Sequence, residues 1–185
     1  IHNWRRCVYG QILKDGGHCQ RTPGYHLGSA IWLSLPLRLW RMNRWKVDPE
    51  AERRVREMVG LAVHLTLPDW QLANFGNTGI SEDRATLPFA ALLTGVPLPY
   101  RAPLSGIHRL YTQAEPPRGK WGLARWFPQS GFLSARSDWS EKANAIAMHV
   151  NQYGGGHGHS DWLSFIYLSR GRRILADRGV NSYDL

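Results

Sequence analysis

The stretch Tyr153 to Asp177, YGGGHGHSDWLSFIYLSRGRRILAD, constrains the fold most. Gly154, Gly155 and Gly156 open backbone conformations closed to residues with a Cβ, and they set His157 and His159 directly ahead of an apolar run. Trp162 to Leu168 reads as a well-buried strand, Arg170-Gly171 as a tight turn, and Arg172 to Ala176 as a returning strand that ends at Asp177. This hairpin commits the end of the chain to an antiparallel sheet. Alternation on an extended segment puts His157, His159 and Asp161 on one face, with Gly158 and Ser160 on the other. Histidines beside a glycine turn are usually solvated, so the pair alone carries little functional weight. A hairpin centred on Arg170-Gly171 sets Asp177 opposite about Ser164.

Further strands precede the hairpin. Phe127-Pro128-Gln129-Ser130-Gly131 leads into Phe132 to Ser137 and then Ala143 to Val150, where Ile146, Met148 and Val150 share a face. Before residue 95 the period is helical instead. Asn3 to Lys14 reads as a helix end closed by Asp15-Gly16-Gly17. Thr22-Pro23 is a cap and first-turn pair that places Tyr25 at a helix start, either packed or facing an anion. The Leu- and Trp-rich run His26 to Trp45 contains Pro36, which should kink or divide it. Asp48-Pro49-Glu50 opens another helix whose apolar stripe is Val55, Met58, Val59, Ala62 and Leu65. A loop over residues 67–79 and a short helix, Thr86 to Thr94, complete this half. The expected organisation is a helical part over 1–95, a proline-rich connector over 96–125 and a β part over 126–185.

Lys and Arg number 23 against 14 Asp and Glu, and so basic a surface attracts polyanions. Nucleic acid is disfavoured, because the arginines are scattered and no nucleic-acid motif accompanies them. No apolar run approaches the length of a membrane span. Cys7 and Cys19 lack zinc-motif spacing and read as free thiols. The chain starts Ile-His-Asn-Trp without a methionine, so it reads as a fragment.

Three motifs carry a family resemblance. The string HxHxDxLSF from His157, a glycine turn, and LxDxG from Leu175 resemble the signature of the heparinase II/III-like polysaccharide lyases. The segment DGGHCQRTPGYH, residues 15–26, is similar to that family's DG…E.SP.YH stretch, and residues 127–131 to its FP.SG entry into the β domain. The resemblance implies an α+β multidomain chain, the C-terminal part of an (α/α) toroid followed by the first strands of an antiparallel β-sandwich. It makes Tyr25 the catalytic acid, His157 the second catalytic residue, and His159 and Asp177 ligands of a structural divalent metal, commonly zinc; His159 must curl back through the glycine segment to reach Asp177, and Asp161 is the rival ligand. It sets Gln20, His26 and Asn77 against substrate, with Gln20 in place of a usual glutamate and Asn77 in place of a frequent aspartate.

The implied reaction is β-elimination on an anionic, uronic-acid-containing polysaccharide. It needs a carboxylate neutraliser, a base and an acid. The family's neutraliser lies upstream of the tyrosine, outside this chain, so the fragment alone is expected to be inactive. A periplasmic or secreted location is implied in the same way. Two other classes compete: a cupin-like metal enzyme built on the HxH pair, and a non-catalytic polysaccharide binder using Trp4, Trp32, Trp121 and Trp126 as stacking platforms.

Overall fold

The computed structural model describes residues 2–79, 85–101, 114–150 and 155–179. Among these, helices α1 (His2–Gln11), α2 (Pro23–Met42), α3 (Pro49–Leu65) and α4 (Thr86–Thr94) precede strands β1 (Ala124–Phe127), β2 (Phe132–Arg136), β3 (Ala145–His149), β4 (Ser164–Ser169) and β5 (Arg172–Leu175). Tyr153, Gly154 and part of the connector, residues 102–113, lie outside the described residues.

α3 is the pillar of the helical part. The Asp48 carboxylate accepts from the Glu50 and Ala51 N–H groups, Pro49 follows, and Glu50 and Glu52 face the positive end of the helix dipole. Its expected stripe, Val55, Met58, Val59, Ala62 and Leu65, is fully buried. α2 packs against α3 and α4, and α1 against α3. Pro36 does not divide α2, which runs unbroken over 20 residues. Proline removes one backbone hydrogen bond, while Leu33, Leu37 and Trp40 on either side hold the helix to the core. α1 ends at Gln11, earlier than expected, because the chain then folds back through Leu13 N–H to Gly17 C=O and Cys19 N–H to Gln11 C=O.

The strands form a five-stranded antiparallel meander in sequence order. Its inner face carries Phe127, Phe132, Ser134, Ala145, Ala147, His149, Ile166 and Leu168, all buried. Ile146 and Met148 do share a face, but it is the outer, half-buried one, and the small Ala145 and Ala147 face inward. Alternation marks two faces without saying which is covered. β1 begins inside the stretch assigned to the connector, at Ala124. Trp162 and Leu163 are exposed rather than buried, because Leu163 adopts a positive φ of 60° and the strand starts only at Ser164. The Arg170-Gly171 turn has positive φ at both positions, as a tight two-residue hairpin requires.

The loop over residues 66–79 joins the two parts. Phe75 stacks on Phe132 with centroids 6.1 Å apart. Arg173 pairs with Asp69 at 2.6 Å and donates to Asn74 Oδ1 at 2.7 Å, and Asn74 Nδ2 donates to the Asp177 carbonyl. Beside it, Arg136 donates to the carbonyls of His64 and Thr66, and His64 Nδ1 meets Ser134 Oγ at 3.1 Å. At the other end Asp15 Oδ2 accepts from Gln129 N–H, Ser130 N–H and Ser130 Oγ, so the turn before β2 is tied to the turn before α2.

Candidate functional site

Pro23 starts α2 and places Tyr25 in its first turn, where the residue is 38% exposed. The expected cap on this helix is absent. Thr22 Oγ1 donates away from it, to the carbonyls of Gln20 and His157. The hydroxyl thereby holds the glycine-rich loop of the β part against the start of α2. Gly24 N–H is satisfied instead by Thr78 Oγ1 at 2.9 Å.

Tyr25 and His157 stack, with ring centroids 3.9 Å apart and planes 10° from parallel. Asn77 sets the imidazole. Its N–H donates to the His157 carbonyl at 3.1 Å, its Nδ2 lies 3.3 Å from His157 Nδ1, and its Oδ1 lies 2.6 Å from His159 Nε2. Since the oxygen accepts from His159 Nε2–H, the amide NH2 faces His157 Nδ1 and makes that nitrogen an acceptor. Neutral His157 then carries its proton on Nε2. The sequence motif Phe75-Gly76-Asn77 has a steric cause as well. Gly76 sits at φ 58°, and a Cβ there would come within 2.9 Å of Thr22 Oγ1 and 3.2 Å of the His157 carbonyl.

The other expected site residues separate. Gln20 lies over Gly156, whose missing Cβ leaves room for the Gln20 amide. Asn77, expected against substrate, bridges the two histidines as well as lining the groove beside Tyr25. His26, expected to touch substrate, is 1% exposed and corrects that expectation: its Nε2 donates to the Met58 carbonyl and its Nδ1 accepts from His18 N–H. One position past Tyr25, the helix turns this ring into the core. Burial pushes its pKa down to about 4.

His159 and Asp177 were expected to hold a metal. His159 Nε2 is engaged by Asn77 and its Nδ1 lies 3.8 Å from Asp161, while Asp177 Oδ1 accepts from Gly179 N–H. Asp161 Oδ2 in turn accepts from Gly76 N–H. Among the described residues no three potential ligands converge. As arranged, these side chains fit a hydrogen-bonded wall better than a metal centre.

His149 is a site neighbour the sequence did not single out. It is 2% exposed and stacks on Phe132 at 4.8 Å, and neither ring nitrogen has a hydrogen-bond partner among the described residues. Burial holds its pKa below the usual value, against the attraction of Asp161 and Asp177. The alternation of β3 assigns it to a face without saying that this face is the covered one. A groove of about 500 Å³ runs from Tyr25, Asn77 and Thr78 along α2 to Gly28, Ser29 and Trp32.

Helices precede an antiparallel meander, and a tyrosine and a histidine stack where the two parts meet. Residues 122–184 match the family described as heparinase II/III-like, C-terminal. The solved heparan sulfate lyase HepC from Pedobacter heparinus is similar over 100% of this chain and 29% of its own, at 21% identity and a TM-score of 0.78. A heparinase III gene product is similar over 100% of this chain and 28% of its own, at 19% identity and a TM-score of 0.76. Another heparinase III structure matches 98% of this chain and 30% of its own, at 15% identity and a TM-score of 0.69. The chain thus has the fold of a segment of these proteins and spans under a third of their length. No curated protein matches the sequence. No helix among the described residues is long and apolar enough to cross a membrane.

Proposed function

We propose that this chain carries the catalytic tyrosine and its supporting histidine in a polysaccharide lyase that cleaves an anionic, uronate-containing polysaccharide by β-elimination. The observation that carries the proposal is the stacking of Tyr25 on His157, with Asn77 fixing the imidazole tautomer. In the reaction the proton on C5 is removed, its electron pair forms the C4–C5 double bond, and the C4–O bond breaks. The departing oxygen takes a proton. The elimination is syn: the Tyr25 phenolate takes the C5 proton and then gives it to that oxygen, ending as phenolate again. His157, protonated on Nε2, offers a hydrogen-bond donor to the developing charge. Its Nδ1 already accepts from Asn77 and so is withdrawn from substrate. General acid–base transfer of this kind is worth about 10²–10⁴ in rate.

The net excess of basic residues favours an anionic glycan. A structural zinc at His159 and Asp177 would require Asn77 to release His159 Nε2, and no proton step passes through such a metal. A cupin-like enzyme is disfavoured by the meander, since cupins are built from Greek keys. The test is to incubate the complete gene product with heparan sulfate, alginate and other uronates and to follow the ultraviolet absorbance of unsaturated uronate. The expected result is product from one of these polymers. Binding of a glycan without product would overturn the lyase reading in favour of a binder.

A further inference from the structure

Resting on the proposal of β-elimination at Tyr25, we infer that Trp32 and Gly28 form a sugar subsite that stacks the apolar face of a pyranose ring away from the scissile bond. Tyr25, Gly28, Ser29 and Trp32 follow at i, i+3, i+4 and i+7, so they form one stripe along α2. All four line the same groove, which begins at Asn77, the residue that holds both histidines. Seven residues of helix span roughly 10 Å. Trp32 therefore meets a different sugar from the one whose bond breaks.

Two features of this stripe lack a packing explanation. Trp32 is 74% exposed, the largest side chain in the groove and the most exposed of the large apolar residues. Gly28 sits inside a helix, where glycine is destabilising by about 1 kcal/mol relative to alanine. A Cβ at Gly28 would meet nothing within 4 Å, so no neighbour demands its absence. What the missing side chain does is leave the floor of the groove open beside the indole. An aromatic face next to an open floor, with the Ser29 hydroxyl adjacent, suits a sugar ring, which offers C–H bonds to the indole and hydroxyls to the rim. No charged side chain lines the groove among the described residues. The aromatic face and the open floor recognise the shape of the ring.

The experiment uses the complete gene product with the polymer cleaved by the parent, and with short oligosaccharides of the same glycan. Trp32→Ala should lower kcat/KM on the polymer about tenfold or more through KM, as the loss of one aromatic anchor does. The loss should shrink on the shortest oligosaccharide, stay constant as salt is raised, and be largely restored by Trp32→Tyr. Gly28→Leu should give the same polymer-specific loss, by filling the floor, with a melting temperature at or above the parent's. Glycan binding is measured in parallel by calorimetry. Product formation with Trp32→Ala and Gly28→Leu indistinguishable from the parent overturns the subsite and leaves the lyase proposal standing. A Trp32→Ala protein that loses several degrees of melting temperature, with chain-length preference unaltered, overturns it too, since the indole is then covered by protein. If the parent gives no product yet its glycan binding falls in both variants, the lyase proposal fails and the subsite holds.

Discussion

Tyr25, in the first turn of α2, lies flat against His157, in the loop ahead of β4, at 3.9 Å between ring centroids. No local contact makes this pair. It depends on Thr22 and Asn77, which take the His157 carbonyl at 2.9 and 3.1 Å and so hold the glycine-rich loop to the helical part. A helix start supplies the phenol, the loop ahead of β4 supplies the imidazole, and the loop over residues 66–79 sets the distance between them.

Asn77 acts through His157, so it is a positioning residue with a spectroscopic signature. Asn77→Asp replaces the donor facing Nδ1 with an acceptor and should drive the proton of His157 onto Nδ1. Ring nitrogen chemical shifts should report the opposite tautomer, and kcat should fall about a hundredfold with KM nearly constant. An unchanged tautomer in the Asp variant would contradict the role.

The same asparagine holds His159. Asn77→Ala removes the acceptor facing His159 Nε2–H, so the ring nitrogen chemical shifts of His159 should move towards those of a freely exchanging imidazole. Equal shifts in the two proteins would show that Asn77 does not restrain the imidazole.

Acid should unfold the protein through its buried histidines. His26 and His64 both have pKa values lowered from 6.5 to about 4, chiefly by burial. A depressed imidazole pKa means that the unfolded chain takes up protons the folded chain refuses. Stability is therefore full above about pH 6.5 and falls as the pH drops towards 4, by on the order of 3 kcal/mol for His26 alone. Calorimetric melting temperatures between pH 7.5 and 4 should trace that decline, and His26→Gln should flatten it. A decline of the same steepness in the variant would remove His26 from the account.

Asp15 should be a fastening point between the parts. It receives three hydrogen bonds from Gln129 and Ser130 at 2.8 to 2.9 Å. Asp15→Ala should cost about 1.5–3 kcal/mol, read from denaturant unfolding. A loss within error of zero would mean that the turn before β2 is held by other contacts.

Much of this was legible from local patterns. The Asp48-Pro49-Glu50 start of α3, its stripe from Val55 to Leu65, the Gly95 stop of α4 and the Arg170-Gly171 turn each follow from residues adjacent in the chain. Tyr25 and His157 were legible only through motif resemblance. What escaped was long-range. Thr22 has the side chain of a cap, yet its hydroxyl is drawn off by a carbonyl far along the chain. The loop carrying Asn77 reads as an ordinary turn until Asn74, Gly76 and Asn77 find their partners in the β part. Likewise, the strand pattern of β3 did not reveal that His149 faces inward, because the covered face is chosen by what packs on it.

The central claim is tested most directly by Tyr25→Phe in the complete gene product, which removes one oxygen and leaves the stacked ring. Formation of unsaturated uronate should fall by about 10² or more, with glycan binding and melting temperature held at the parent's values. Product formed at the parent's rate by the Phe variant would contradict the claim.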